Sequence, residues 1–120
     1  MHYASLSATP DEPVSHNPAI RKLVLLRAGQ LPPVTQFAQA TFAPGQVAPA
    51  HAHADMAEVF LVQAGCGTVT VDGVARRLGA GECVAIEPGE RHELMNDGGE
   101  PWVVVYFGVR TQSMEAQEGT

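Results

Sequence analysis

The sequence predicts an all-β domain that closes into a sandwich or barrel. Short apolar runs recur along the 120 residues, and most of the 12 glycines and 9 prolines fall between them. No long window carries the 3.6-residue spacing of an amphipathic helix. Apolar residues make up 45% of the chain, enough for one domain with a sizeable core. An open sheet of many short strands leaves edges exposed, so closure is expected.

In chain order, residues 1–18 read as a flexible arm. Pro10, Pro13 and Pro18 interrupt it, and His2 and His16 on it are expected to face solvent. Residues 19–110 form the domain, and residues 111–120 a loose tail. The first strand, residues 20–27, has a centre apolar on both faces, which suits burial between sheets or at a subunit contact. In residues 34–42, Thr35, Phe37, Gln39 and Thr41 share one face and Gln36, Ala38, Ala40 and Phe42 the other; polar residues on both suit either a face that looks into a polar pocket or an edge strand with one wet face. A short strand at 51–53, a bend at 54–57 and a strand at 58–63 follow. Gly65-Cys66-Gly67 reads as a hairpin turn, and Asp72-Gly73 carries the two-residue hairpin signal between residues 68–71 and 74–78. Residues 83–86, 92–96 and 102–109 are the remaining strands, the last apolar on both faces.

The net charge of −6 and the lack of a basic cluster argue against nucleic-acid or anionic-membrane partners. No apolar run is long enough to span a membrane, and no secretory signal opens the chain, so a cytoplasmic location follows by default. Cys66 and Cys83 match neither a zinc knuckle nor a disulfide framework. Cys83 reads as a small core residue and Cys66 as a turn residue.

The chemistry concentrates in residues 45–65. His51 and His53 are two apart, so in a strand both imidazoles face one side. A bend at Asp55-Met56 lets Glu58 return a carboxylate to the same point. Two imidazoles and a carboxylate are common ligands for a divalent transition metal. Downstream, Gly81 opens a second segment in which His92, Leu94 and Asn96 share a face, and His92 is the natural fourth ligand.

The spacing of these residues resembles the cupins, in particular small single-domain metal-binding members. Gly45, His51, His53, Glu58 and Gly65 match the family's first motif, Gly-x5-His-x-His-x4-Glu-x6-Gly. Gly81, Gly89, His92 and Asn96 match the second, Gly-x5-Pro-x-Gly-x2-His-x3-Asn. Glu87 stands at its proline, with Pro88 one place later, a departure expected to alter the turn and no ligand. The resemblance covers residues 34–109. It implies a double-stranded β-helix, or jelly-roll barrel, with one metal per chain on His51, His53, Glu58 and His92. Zinc would be satisfied by these four ligands alone; Fe, Mn, Ni or Co would keep open positions.

Strand phase makes Gln36, Phe42, Phe60, Met95 and Tyr106 candidate pocket-lining residues, with plain core packing the competing role for Phe42, Phe60 and Met95. Asn96 is expected to tie its strand to the following turn. The resulting expectation is a metal-dependent enzyme on a small polar organic substrate, of dioxygenase, lyase, isomerase or decarboxylase type. The alternative is a non-catalytic module that binds or senses a small molecule or sugar. The doubly apolar first and last strands suggest a homodimer.

Overall fold

The computed structural model of the chain describes residues 1–111. Ten strands follow a single 3-10 turn at Leu6–Ala8: β1 Asp11–Val14, β2 Asn17–Leu26, β3 Val34–Phe42, β4 Val47–His51, β5 Met56–Ala64, β6 Cys66–Val71, β7 Val74–Gly79, β8 Cys83–Ile86, β9 His92–Met95 and β10 Trp102–Arg110. They form two antiparallel sheets, β1-β2-β3-β10-β5-β8 and β4-β9-β6-β7, arranged as a jelly-roll barrel. Among the described residues no helix is long and apolar enough to cross a membrane.

Side-chain alternation decides what lies inside. On β10, Trp102, Val104 and Tyr106 are buried while Val103, Val105 and Phe107 are only half-buried. Strand register extends each inner residue into a row: Val24, Ala38, Tyr106 and Phe60 lie side by side across β2, β3, β10 and β5, as do Lys22, Ala40, Val104 and Val62. Trp102 is fully buried against Phe42, with ring centroids 5.2 Å apart. Its indole N–H donates to the Leu78 carbonyl at 3.2 Å, which avoids the roughly 1–3 kcal/mol cost of an unpaired buried donor. Gly67 lies under this ring, where an added Cβ would stand 2.5 Å from it.

Four expectations change. The segment 1–18 contains β1 and the start of β2; its charges form cross-strand pairs, Asp11 with Arg21 (2.8 Å) and Glu12 with Arg27 (2.5 Å). Pro13 is tolerated there because β1 is an edge strand. Gly65 is not a hairpin: β5 and β6 belong to different sheets, and the chain crosses between them at this residue. The short strand ends at His51 rather than spanning 51–53. Cys83 is exposed, because β8 is an edge strand whose outer face carries it. Of the expected tail, Thr111 donates its N–H to the Asp55 carbonyl at 2.8 Å; residues 112–120 lie outside the described residues.

Candidate metal centre

His51 reaches the barrel interior through an irregularity. Ala48 is buried, and a regular strand would turn His51, three residues on, to the opposite face. Pairing with β9 slips between Ala48 and His51, where Pro49 has no N–H to give, and His51 ends directly opposite His92. His53 lies past the strand end. Its carbonyl accepts the Gly89 N–H at 2.7 Å, which ties the loop to the turn before β9. Asp55 fixes the bend from the other side, taking the Arg110 guanidinium at 2.6 Å. Glu58 then enters from the inner face of β5, next to Phe60.

The second segment delivers His92 by a similar device. Gly89 adopts φ +85°, a conformation that suits glycine, and the chain turns into β9. Glu87, where the motif has proline, uses the N–H a proline would lack: it donates to Glu90 Oε1 at 2.7 Å. Asn96 is fully buried, donating to the carbonyls of Phe42 and Glu100 at 2.8 Å and accepting the Gly98 N–H at 2.9 Å. It fastens the end of β9 to β3 and to the following turn.

One ligand atom from each of His51, His53, Glu58 and His92 lies within 4.8 Å of the others, a cluster that could hold a metal ion. His92 Nε2 is 3.1 Å and His53 Nε2 3.6 Å from Glu58 Oε1. The donor set fits a metal in its protonation as well as its spacing. His51 Nδ1 is 2.8 Å from the Pro49 carbonyl and His92 Nδ1 is 3.0 Å from the Glu90 carbonyl. A carbonyl only accepts, so both Nδ1 atoms carry hydrogen, leaving each Nε2 as the metal-facing atom. Burial lowers the pKa of His51 and favours the neutral, ligating form. Burial also acts against protonated His92, but the Glu58 carboxylate and the Glu90 carbonyl outweigh it and raise its pKa.

His51, His53 and Glu58 of this cluster line a solvent-open cavity of about 120 Å³, and His92 lies buried behind them. Gln36, Phe42, Phe60 and Tyr106 line it; Met95 does not, being half-buried on the outer side of β9 opposite Val47 and Thr68. Tyr106 stacks on Phe60 with ring centroids 5.3 Å apart, and burial raises its pKa so that the hydroxyl keeps its proton.

Among the lining residues not expected from the sequence, two are ionisable, Lys22 and His16. Lys22 points inward from a strand read as apolar on both faces; its i±2 neighbours Ile20 and Val24 are buried, and that alternation was the available signal. His16 sits between β1 and β2 with its ring centroid 4.2 Å from that of His51, exposed on one side and closing the cavity on the other. Nothing local in the sequence marks it, since the contact depends on how the β1–β2 hairpin folds over.

A two-sheet barrel with an inward cluster of three imidazoles and one carboxylate defines a class of small β-barrel with a potential metal site. The family model described as "Cupin domain" matches residues 38–108, and the chain belongs to the cupin family. Solved structures share the fold at low identity. A predicted oxalate decarboxylase from Thermotoga maritima superposes with a TM-score of 0.83 at 19% identity, covering 90% of this chain and 98% of its own. A sugar phosphate isomerase of the cupin superfamily from Silicibacter pomeroyi gives 0.77 at 20% identity, with coverage of 91% and 76%. KdgF from Halomonas sp. gives 0.75 at 19%, with 95% and 97%. A predicted decarboxylase and an isomerase thus share this fold, and likeness at such identity speaks to fold alone.

Proposed function

We propose that this cupin is a metal-dependent enzyme acting on a small polar organic molecule, with one divalent transition metal per chain on His51, His53, Glu58 and His92. The observation that carries this reading is the convergence of four ligand atoms, three of them from residues on the wall of a solvent-open cavity. A metal buried by protein alone would serve structure; one beside an open cavity keeps positions for substrate. When bound there, the metal supplies Lewis-acid or redox chemistry.

The chain's own groups do the rest. The carbonyls of Pro49 and Glu90 hold two imidazoles with Nε2 facing inward. Phe42, Phe60, Leu94 and Val104 give the cavity apolar walls that limit water. The Tyr106 hydroxyl lines the same space as a hydrogen donor. Three imidazoles and a carboxylate suit Fe, Mn, Ni or Co with open positions, or zinc in a site that expands. The reaction is of dioxygenase, lyase, isomerase or decarboxylase type. The two free cysteines accord with a reducing, cytoplasmic setting.

Metal analysis of protein purified without an affinity metal, followed by oxygen-uptake and product assays on small acids, diketones and thiols, tests the proposal. Turnover that requires the metal supports it. Metal-loaded protein that binds several such compounds and converts none would leave a binding module instead.

We further propose a homodimer through the outer face of the six-stranded sheet. Leu23, Phe37, Val105 and Phe107 are half-buried on that face and Leu61 is 43% exposed, an apolar stripe the barrel interior does not use.

A further inference from the structure

Lys22 is 8% exposed, in the inner row between Ile20 and Val24. Lys22 lines the same cavity as His51, His53 and Glu58. Of its three N–H groups, one donates to Gln36 Oε1 at 3.2 Å. Among the described residues no carboxylate lies within ion-pairing distance of it. Glu12, its register partner on β1, is held instead by Arg27. Glu12 and Glu58 act on Lys22 only at a distance. A buried cation with no carboxylate in contact is costly, and an apolar residue of similar length would fill this position without that cost.

The surroundings favour an anion that arrives with the ligand. With a divalent cation on Glu58 and the imidazoles, the fully charged groups lining the cavity leave it net positive. Because Gln36 accepts from Lys22 through its oxygen, its amide N–H groups stay available to a ligand. The Tyr106 hydroxyl adds a neutral donor. The cavity lining contains one ammonium and no arginine, and no α-helix is present among the described residues to offer N-terminal N–H groups. That is the provision for a single carboxylate rather than for a phosphate, which draws on guanidinium forks or several backbone donors. Ala40 on the neighbouring strand is small, and apart from Ser15 and His16 the remaining walls are apolar.

We propose that Lys22, assisted by Gln36 and Tyr106, anchors the carboxylate of the substrate, so that the cavity takes a small organic carboxylate between this anchor and the metal cluster. The inference rests on the metal reading above for the far end of the molecule and on Lys22 alone for the near end.

Calorimetric titration of zinc-loaded protein with lactate, 2-oxobutanoate, the uncharged lactamide and inorganic phosphate tests it. The carboxylates are expected to bind at least about tenfold more tightly than lactamide. A carboxylate also favours the metal, so the variant is decisive: Lys22→Met should erase most of that preference while the metal content per chain stays unchanged. Tyr106→Phe should weaken carboxylate binding a few-fold and leave lactamide less affected. A preference that survives in Lys22→Met, or phosphate binding more tightly than either carboxylate, overturns the anchor. If the wild-type chain takes up no metal, the same titration on metal-free protein separates the two readings. A Lys22-dependent preference there keeps the anchor and removes only the metal; no preference there removes the anchor.

Discussion

His92 Nε2 lies 3.1 Å from Glu58 Oε1, joining two buried residues from opposite sheets of the barrel. Glu58 stands on β5 in one sheet and His92 on β9 in the other, so a metal on both would also pin the sheets together. Replacing His92 or His51 by alanine should lower metal affinity by more than the ~10–100-fold that changes to outer-shell partners cause. Elemental analysis after dialysis against a competing chelator reads this directly. Full retention of metal in His92→Ala would remove the residue from the ligand set.

The same contact sets a pH dependence. In metal-free protein the folded-state pKa of His92 is raised, so its interaction with Glu58 contributes stability that is fully present below about pH 6.5 and lost as pH rises through the folded value. Metal binding runs the other way, because it needs neutral imidazoles. His51 does not oppose it, since burial already favours its neutral form. The thermal shift produced by metal should therefore widen between about pH 5.5 and pH 8. Scanning melting temperature with and without metal across that range checks the sign, and a shift that narrows with rising pH would contradict the assignment.

The clustering of His51, His53, Glu58 and His92 was legible in the sequence from their spacing and from the regular inner row that carries Glu58. Glu58, Phe60 and Val62 alternate on β5 as period-two reasoning requires. The route taken by His51 was less legible, since a slip in pairing at Pro49 corrects a three-residue spacing that strand phase alone would misassign. Crossing points between sheets were illegible for a related reason: Gly65 has the composition of a hairpin, and only the pairing of β5 with β10 and of β6 with β9 shows that the chain changes sheet there. Lys22 was hidden by its two apolar neighbours in sequence, Leu23 and Val24, although its own phase places it inside.

Gly65 carries two constraints at once. Its φ is +81°, and an added Cβ would stand 2.2 Å from the Pro101 carbonyl oxygen. A left-handed alanine costs about 1–2 kcal/mol and overpacking against fixed backbone about 1–3 more. Gly65→Ala should therefore lose roughly 2–5 kcal/mol in denaturant unfolding. Gly73→Ala provides the comparison: its φ is +83° with open space around the position, so only the conformational cost applies. Equal losses at the two sites would show that the close approach to Pro101 relaxes freely.

His16 covers His51 from the β1–β2 hairpin without belonging to the ligand cluster. Val14 and Ser15 line the cavity beside it. His16→Ala should leave the metal content per chain unchanged but speed metal loss to a chelator several-fold, because solvent gains a path to His51. Stopped-flow transfer of bound metal to a coloured chelator measures the rate. An unchanged rate would reduce the hairpin to a structural edge, while loss of the metal at equilibrium would make His16 a ligand.

The outer stripe on the six-stranded sheet makes a separate prediction about assembly. Val105 lies beside Gln39 and Leu61, and Phe107 beside Phe37 and Val59, so the apolar surface runs across three adjacent strands. Phe37 and Phe107 meet edge to face at 6.5 Å. Charged residues at the middle of such a stripe would be buried without partners in a dimer and solvated in a monomer. Val105→Glu should therefore convert a dimer to a monomer in sedimentation velocity while leaving the inward row of Trp102, Val104 and Tyr106, and with it the metal content, intact. Wild-type protein that sediments as a monomer across the micromolar range would remove the interface. A Val105→Glu variant that stays dimeric would move it to another face.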